Sequence, residues 1–124
     1  ISGEPPVING DGNHSRDFTY IDNVIQANLL SLVTTNEKAI NTVYNVAYGD
    51  RNTLNDLMEY LKEYLTEFDS KISKIEIIYG PNRAGDIPHS HASVDKAKEL
   101  LNYNPQFNLQ KGLKEAVKWY WKNL

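Results

Sequence analysis

The sequence predicts a small mixed α/β domain, because short strand-like runs alternate with amphipathic helical segments and Gly/Pro-rich turns separate them. The chain has 124 residues, of which 40% are hydrophobic and 23% charged. That length suits one domain with its own core, and that composition is typical of a globular chain. The alternation lacks the regular strand–helix period of a full doubly wound fold.

The first elements predicted along the chain are a hairpin and a helix. Val7–Asn9 is an apolar run that ends at a glycine turn, and the alternating Asp17–Ile21 is expected to be its return strand. Asp22 is a good candidate for the N-cap of the next helix, which should end near Val33. Helical spacing predicts one apolar stripe on it, made by Val24, Ile25, Leu29 and Leu32.

Another strand and a capped helix follow. Val43–Tyr48 is predicted to be a strand closed by Gly49. The spacing of Thr53 and Asp56 resembles a capping box, so a helix is expected to begin there. The expected core face of that helix consists of Leu54, Leu57, Met58, Leu61 and Leu65.

The last part of the chain predicts one strand and two helices. Ile75–Tyr79 has the composition of a strand. A short helix should begin at Ser93 or Asp95 and end before Pro105. Asn108 is expected to cap a final helix whose buried face contains Leu113, Ala116, Val117, Tyr120 and Trp121.

Composition excludes several classes of function. A formal net charge of −3 with no basic stripe argues against nucleic-acid binding. The absence of cysteine excludes disulfides, thiolate zinc sites and a cysteine nucleophile. No apolar run approaches the roughly 18 residues of a membrane span, and no signal peptide is visible. These features favour a cytoplasmic protein without membrane contact.

The beginning of the sequence suggests a piece of a longer protein. The first residue is Ile1 rather than methionine, and Ser2–Pro6 has the composition of a loop. No Gly-x-Gly-x-x-Gly opens a helix, and no Tyr-x-x-x-Lys is present. Nothing in the chain therefore matches the usual dinucleotide-binding fingerprint.

Two Gly-rich loops carry the residues with the most chemistry. The loop 80–90 contains Arg83 and, three residues later, Asp86; the turn 10–16 ends at Arg16. An arginine fork matches phosphate geometry, and a carboxylate can accept hydrogen bonds from sugar hydroxyls. If the two loops converge, they could bind the diphosphate of a nucleotide or a phosphorylated sugar.

Five segments in this order resemble the C-terminal part of extended short-chain dehydrogenases/reductases that act on nucleotide sugars. They are Gly10–Asn23, Tyr44–Ala47, Arg83–Ser90, Asp95–Ala97 and Leu101–Pro105. The sequence looks most like the bacterial UDP-N-acetylglucosamine 4-epimerases. The resemblance covers essentially the whole chain, which would then be, over residues 1–124, a C-terminal nucleotide-sugar-binding domain without the Rossmann cofactor domain.

The resemblance implies a role for five residues. Arg16 and Arg83 would contact the diphosphate, and Asp86 the ribose hydroxyls. Ser90 would line the hexose and, being small, leave room for an N-acetyl group at C2. Asn9 stands where the wider superfamily often has an aromatic residue that packs on the uracil, so an amide hydrogen bond would replace that contact.

The resemblance also implies the reaction and its partners. The enzyme would be a homodimeric UDP-hexose 4-epimerase that interconverts UDP-GlcNAc and UDP-GalNAc, or UDP-glucose and UDP-galactose, through a 4-keto sugar. A missing N-terminal Rossmann domain would bind NAD and carry the catalytic residues, so no cofactor and no catalytic residue is expected on this chain. The chain alone should be inactive, with an exposed apolar surface where that domain packs. Alternatives are a dehydratase or decarboxylase of the same superfamily, or a non-catalytic nucleotide-sugar-binding domain.

Simpler roles remain open for the same residues. Arg16 could pair with Asp11, Asp17 or Asp22, and Arg83 with Asp86, as purely structural contacts. Asp17 is expected to be structural and to brace the hairpin backbone or Arg16, and His14 is expected to be an exposed turn residue. His89 and His91 lack a third ligand nearby, so no metal site is expected.

Overall fold

The computed structural model describes residues 3–124 and contains four helices and four short strands. The strands are β1 (Val7–Asn9), β2 (Ser15–Arg16), β3 (Asn52–Thr53) and β4 (Ile78–Gly80). The helices are α1 (Ile21–Val33), α2 (Leu54–Thr66), α3 (Asp95–Leu101) and α4 (Leu109–Asn123), with 3₁₀ turns at Glu37–Ala39 and Ser70–Lys74. Ile1 and Ser2, where the predicted lead-in loop begins, lie outside the described residues. The mixed α/β class is confirmed.

The strands form two separate pairs rather than the predicted hairpin. β1 pairs with β4 in parallel, in the register Val7 to Ile78. β2 pairs with β3 antiparallel, in the register Ser15 to Thr53. The predicted return strand Asp17–Ile21 is therefore wrong, because the partner of each short strand lies far along the chain. The Ile75–Tyr79 strand is confirmed only at its end, since β4 begins at Ile78.

Helix α1 begins differently from the prediction and exposes the face that was expected to pack. Tyr20 is its N-cap without a side-chain cap bond, so the prediction of Asp22 as N-cap is wrong; Asp22 lies in the first turn, where its charge still suits the helix dipole. The buried residues of α1 are Asn23 and Ala27. On the predicted stripe, Ile25, Leu29 and Leu32 are exposed, Leu32 by 81%.

The predicted caps of α2 and α4 are confirmed. The Thr53 hydroxyl accepts from the Asp56 amide, and the Asp56 carboxylate accepts from the Thr53 amide, which makes a complete capping box. Asn108 accepts from the Lys111 amide at 2.9 Å. The predicted face of α4 is only partly right: Val117 is buried, whereas Tyr120 is half exposed.

A buried asparagine joins α1 to the segment that leads into α4. The Asn23 side-chain oxygen accepts from the amides of Gln106 and Phe107, and its nitrogen donates to the Phe107 carbonyl at 2.7 Å. Nearby, Tyr20 packs so close to α4 that a Cβ on Gly112 would lie 2.8 Å from the Tyr20 Cβ. Only glycine therefore fits at position 112 without displacement of its neighbour.

The main buried cluster lies between α1, α3 and the segments next to them. Its members are Ala27, Ala47, Val94, Ala97 and Tyr103, and the Tyr103 hydroxyl donates to the Ala47 carbonyl at 2.9 Å. Burial raises the pKa of Tyr103, which keeps that donor protonated. Among residues 3–124, no helix combines the length and apolar character needed to cross a membrane.

Residues 42–48 contain no helix or strand in the described structure. The prediction of a Val43–Tyr48 strand is therefore wrong. Within residues 3–124 no backbone–backbone hydrogen bond involves the segment. Its carbonyls at Val43 and Ala47 accept only from the side chains of Lys96 and Tyr103. Val43 is 84% exposed.

Candidate nucleotide-sugar site

Strand β2 is hydrogen-bonded to the end of the loop 81–90. The Ser15 amide donates to the Pro88 carbonyl at 2.9 Å, and the Ser90 amide donates to the Ser15 carbonyl at 3.1 Å. The Ser15 hydroxyl also lies 2.9 Å from Nδ1 of His89. The two Gly-rich loops therefore meet, which is the arrangement that a shared diphosphate site requires.

The start of α2 holds the turn before β2. The Leu54 amide donates to the His14 carbonyl and the Asn55 amide to the Gly12 carbonyl, both at 3.1 Å. Gly12 has a φ of 76°, a conformation that a residue with a side chain rarely adopts. Because the capping box fixes the first turn of α2, this turn and β2 have a rigid support.

Arg16 is bound within the protein by the opposite loop. Its Nη2 donates to Asp86 Oδ1 at 2.6 Å, and Nη1 donates to the Ser15 carbonyl at 2.9 Å. Asp11, Asp17 and Asp22, the partners considered from the sequence, are not its ion-pair partners in the described structure. An arginine has five N–H donors, so donors remain for a ligand.

Arg83 differs from Arg16 although both line one cavity. It is exposed, and within residues 3–124 no ion pair or side-chain hydrogen bond involves it. The alternative of an Arg83–Asp86 clamp is wrong, since Asp86 pairs with Arg16 and His14. Arg83 therefore keeps its full set of donors.

Asp86 is held from both sides. His14 Nδ1 lies 3.2 Å from Oδ2, on the side opposite the Arg16 bond. The hydrogen bond from His14 holds the pKa of Asp86 below its usual value, the charge of Arg16 acts in the same direction, and desolvation opposes both. Asp86 is thus a carboxylate at neutral pH, able to accept hydrogen bonds.

One cavity collects most of the predicted site residues. Its volume is about 400 Å³, and its lining includes Arg16, Arg83, Asp86 and Ser90. Asn9 does not line it; that residue lies in β1 opposite Gly80. A neighbouring cavity of about 550 Å³ has Gly10, Asp11, His14 and Asn82 among its lining residues.

The arrangement suits a ligand that is both anionic and hydroxylated. Two guanidinium groups can neutralise phosphates, and one carboxylate can bind hydroxyls. His89 bonds to Ser15, and among residues 3–124 no cluster of three His, Asp or Glu side chains is placed to bind a metal. Asp17 accepts from the Gly49 amide, so it is structural as expected, but it braces the backbone at Gly49 rather than a hairpin or Arg16.

His14 is the functional candidate that the sequence interpretation missed. The prediction of an exposed turn residue is wrong, because its side chain is 23% exposed and bonds to Asp86. The available signal was its position two residues before Arg16, since side chains at i and i+2 of an extended segment lie on one face.

Comparison with protein families assigns the chain to one of them. The family model of GDP-mannose 4,6-dehydratase matches residues 2–116. The chain belongs to this family. The chain spans about a third of the length of the curated relatives it matches, 36% in several cases.

Solved structures of longer enzymes share the fold. The UDP-glucose 4-epimerase of Thermotoga maritima with UDP-glucose is 38% identical, with a TM-score of 0.83 over 98% of this chain and 36% of that one. The UDP-N-acetylglucosamine 4-epimerase of Methanobrevibacter ruminantium, in complex with UDP-N-acetylmuramic acid, is 36% identical, with a TM-score of 0.82 and the same coverage. The UDP-glucuronic acid 4-epimerase of Bacillus cereus, solved with UDP-glucuronic acid and NAD, is 26% identical, with a TM-score of 0.82 over 98% of this chain and 37% of that one.

Proposed function

We propose that this chain is the substrate-binding portion of an NAD-dependent UDP-hexose 4-epimerase that interconverts UDP-GlcNAc and UDP-GalNAc, with UDP-glucose and UDP-galactose as the related pair. In this proposal residues 1–124 form the C-terminal domain of a longer, homodimeric, cytoplasmic enzyme. The convergence of Arg16, Arg83, Asp86 and Ser90 on one cavity is the observation that carries it.

The proposal gives each of these residues one part of the ligand to bind. Arg16 and Arg83 would bind the diphosphate from two sides, because one lies on β2 and the other on the opposite loop. Asp86 would accept from the ribose hydroxyls. Asn9 lies outside this cavity, next to Gly10 at the neighbouring one, and remains a proposed contact for the uracil.

Ser90 is the proposed determinant of sugar size. It lines the cavity and its backbone is fixed by the bond to Ser15. A serine occupies little volume, so a bulky C2 substituent such as an N-acetyl group would have space there. The similarity to a UDP-N-acetylglucosamine 4-epimerase supports this preference.

The proposed reaction is a transient oxidation at C4 of the sugar. NAD, bound by the remainder of the longer chain, would accept the hydride from C4 while a base on that part of the chain takes the C4 hydroxyl proton. The hydride would then return to the other face of the 4-keto sugar, and the base would return the proton to its oxygen. This chain's contribution is to hold the diphosphate while the hexose turns. Binding energy placed on the nucleotide retains the intermediate without fixing the sugar ring.

An apolar face is the proposed docking surface for the Rossmann domain. Ile21, Ile25, Leu29, Leu32 and Val33 form one exposed side of α1, at helical spacing. The unpaired segment 42–48 offers backbone groups that could join the edge of a sheet. A large exposed apolar patch of this kind is typical of an interface.

A sugar-nucleotide dehydratase is the second candidate, favoured by the name of the matching family. Both reactions pass through a 4-keto sugar, and both require that the protein bind the diphosphate in the same way. Assays of the full-length protein that follow epimer formation and loss of water separate the two. A decarboxylase, or a domain without catalysis, would yield neither product.

The proposal is tested by calorimetric titration of UDP-GlcNAc into the full-length protein. Arg83→Ala should weaken binding about 30-fold, since a charge-assisted bond to phosphate contributes about 2 kcal/mol. Arg51→Ala is the matched control, because Arg51 is exposed and outside the cavity. Equal affinity in both variants, or no binding by the native protein, would contradict the proposal.

A further inference from the structure

His14 lies between the two cavities of the site. It lines the cavity of about 550 Å³, while its ring bonds to Asp86, which lines the cavity of about 400 Å³. Its backbone is fixed by the bond from Leu54 at the start of α2. A rigid element therefore delivers this ring to the carboxylate.

The partner of His14 determines where its proton resides. An ionised carboxylate can only accept hydrogen bonds, so the Nδ1 atom facing Asp86 Oδ2 must carry hydrogen. Within residues 3–124 the structure gives no partner for Nε2, which is an acceptor in the neutral ring and a donor in the imidazolium. The bond to Asp86 therefore persists in both charge states.

Two donors together fix the plane of the Asp86 carboxylate. Arg16 donates to Oδ1 and His14 to Oδ2. A side-chain carboxylate turns easily about its last torsion, and a single donor would leave that rotation free. Each oxygen retains acceptor capacity, because a carboxylate has about four lone-pair sites.

We propose that His14 is a positioning residue for Asp86, and that its hydrogen bond aims the carboxylate at the hydroxyl-bearing part of a sugar nucleotide. The inference rests on the proposed ligand of Asp86. Loss of the His14 donor would leave Asp86 charged and near Arg16 but free to rotate toward it. The cost would appear in affinity for ligands that have a ribose diol.

Asparagine is the variant that keeps the hydrogen-bond donor. Its side-chain nitrogen can occupy about the same position as Nδ1 of histidine, so His14→Asn can still donate to Asp86. His14→Ala removes that donor. His91→Asn is the matched control, since His91 is exposed and the structure gives it no partner among residues 3–124.

The experiment is a calorimetric titration of UDP-GlcNAc into the full-length protein at neutral pH. His14→Ala should bind about 5-fold more weakly than the native protein, whereas His14→Asn should stay within about 2-fold of it. In an Asp86→Ala background, His14→Ala should have no further effect.

Three results would overturn the inference. The first is that His14→Ala binds UDP-GlcNAc as tightly as the native protein. The second is that His14→Asn is folded but binds no more tightly than His14→Ala. The third is that His14→Ala weakens binding further when it is added to Asp86→Ala. Each of these presupposes that the native protein binds the sugar nucleotide. Absence of native binding would instead overturn the proposed function, so the two failures are distinguishable. Thermal unfolding of each variant, unchanged from the native protein, separates positioning from misfolding.

Discussion

Two arginines line the same cavity, but only one of them is hydrogen-bonded within the described part of the protein. Arg16 lies on a strand and is held by Asp86 and a backbone carbonyl, whereas Arg83 lies on an exposed loop with no such partner in the described structure. Residue type is identical and sequence context is similar, since each belongs to a Gly-rich loop. The difference teaches that the fold decides whether a cation is part of the scaffold or is free for a ligand.

Removal of Arg16 should have the largest effect, because it acts on both scaffold and ligand. Arg16→Ala should weaken UDP-GlcNAc binding about 100-fold and lower the free energy of unfolding by about 1 kcal/mol. The physical reason is the simultaneous loss of a phosphate donor and of one of the bonds between β2 and the loop 81–90, the ion pair with Asp86. Calorimetry and chemical denaturation measure the two losses. A loss of affinity without any loss of stability would show that the Asp86 contact contributes nothing to the scaffold.

Removal of Arg83 should affect binding alone. In Arg83→Ala the free energy of unfolding should stay within about 0.5 kcal/mol of the native value, because within residues 3–124 the side chain has no hydrogen bond or ion pair to lose. Arg83→Lys should recover part of the affinity, since it retains the charge but loses the planar fork. Denaturation curves of the three proteins check the first claim. A clearly destabilised Arg83→Ala would remove the contrast between the two arginines.

Enlargement of Ser90 should change selectivity rather than overall binding. Ser90→Tyr places a ring on the cavity wall, so UDP-GlcNAc should lose more affinity than UDP-glucose, by about 10-fold. Ser90→Ala should leave the ratio unchanged, because it removes a hydroxyl and adds no volume. Competition binding with the two sugars gives the ratio directly. Equal losses for both would place the hexose away from Ser90.

The pH-dependent contribution of Asp86 to folding stability should be the smallest of these effects, and it should be present only above strongly acidic pH. Its pKa is lowered in the folded protein, so its stabilising effect is complete above the unfolded value of about 3.9 and is lost as pH falls through the lower folded value. Asp86→Asn should therefore be less stable than the native protein near pH 7 and equal to it in strong acid. Asp11, whose pKa is also lowered, is present in both proteins and cancels from the difference. Denaturation across the acidic range measures this, and a constant difference would contradict the prediction.

Local signals in the sequence predicted helices better than strands. The capping box of Thr53 and Asp56 and the cap of Asn108 depend on residues within one helical turn, and both were visible in the sequence. The strand pairs join residues about 40 to 70 positions apart, as Ser15 with Thr53 and Val7 with Ile78, and no local pattern encodes such a choice. The buried face of helix α1 was mispredicted for a related reason. Its apolar spacing correctly indicated a helix, but the side that packs carries Asn23 and Ala27.

The site was predicted as a set of residues but not as a network. Motif chemistry singled out Arg16, Arg83, Asp86 and Ser90, which the fold brings to one cavity. Motif chemistry could not predict that Asp86 pairs with Arg16 and His14, because that pairing depends on how β2 hydrogen-bonds to the end of the loop 81–90. It also did not foresee that Asn9 would lie outside this cavity.

The unpaired segment 42–48 has a consequence for hydrogen–deuterium exchange. Amide hydrogens exchange slowly when they are hydrogen-bonded in a stable element, and those of residues 43–48 have no such bond in the described structure. They should exchange within seconds while amides in the middle of α1 stay protected, although the two segments belong to one packed region. If a sheet edge takes up the segment in the longer protein, the same amides become slow, and their exchange rate reports directly on domain assembly.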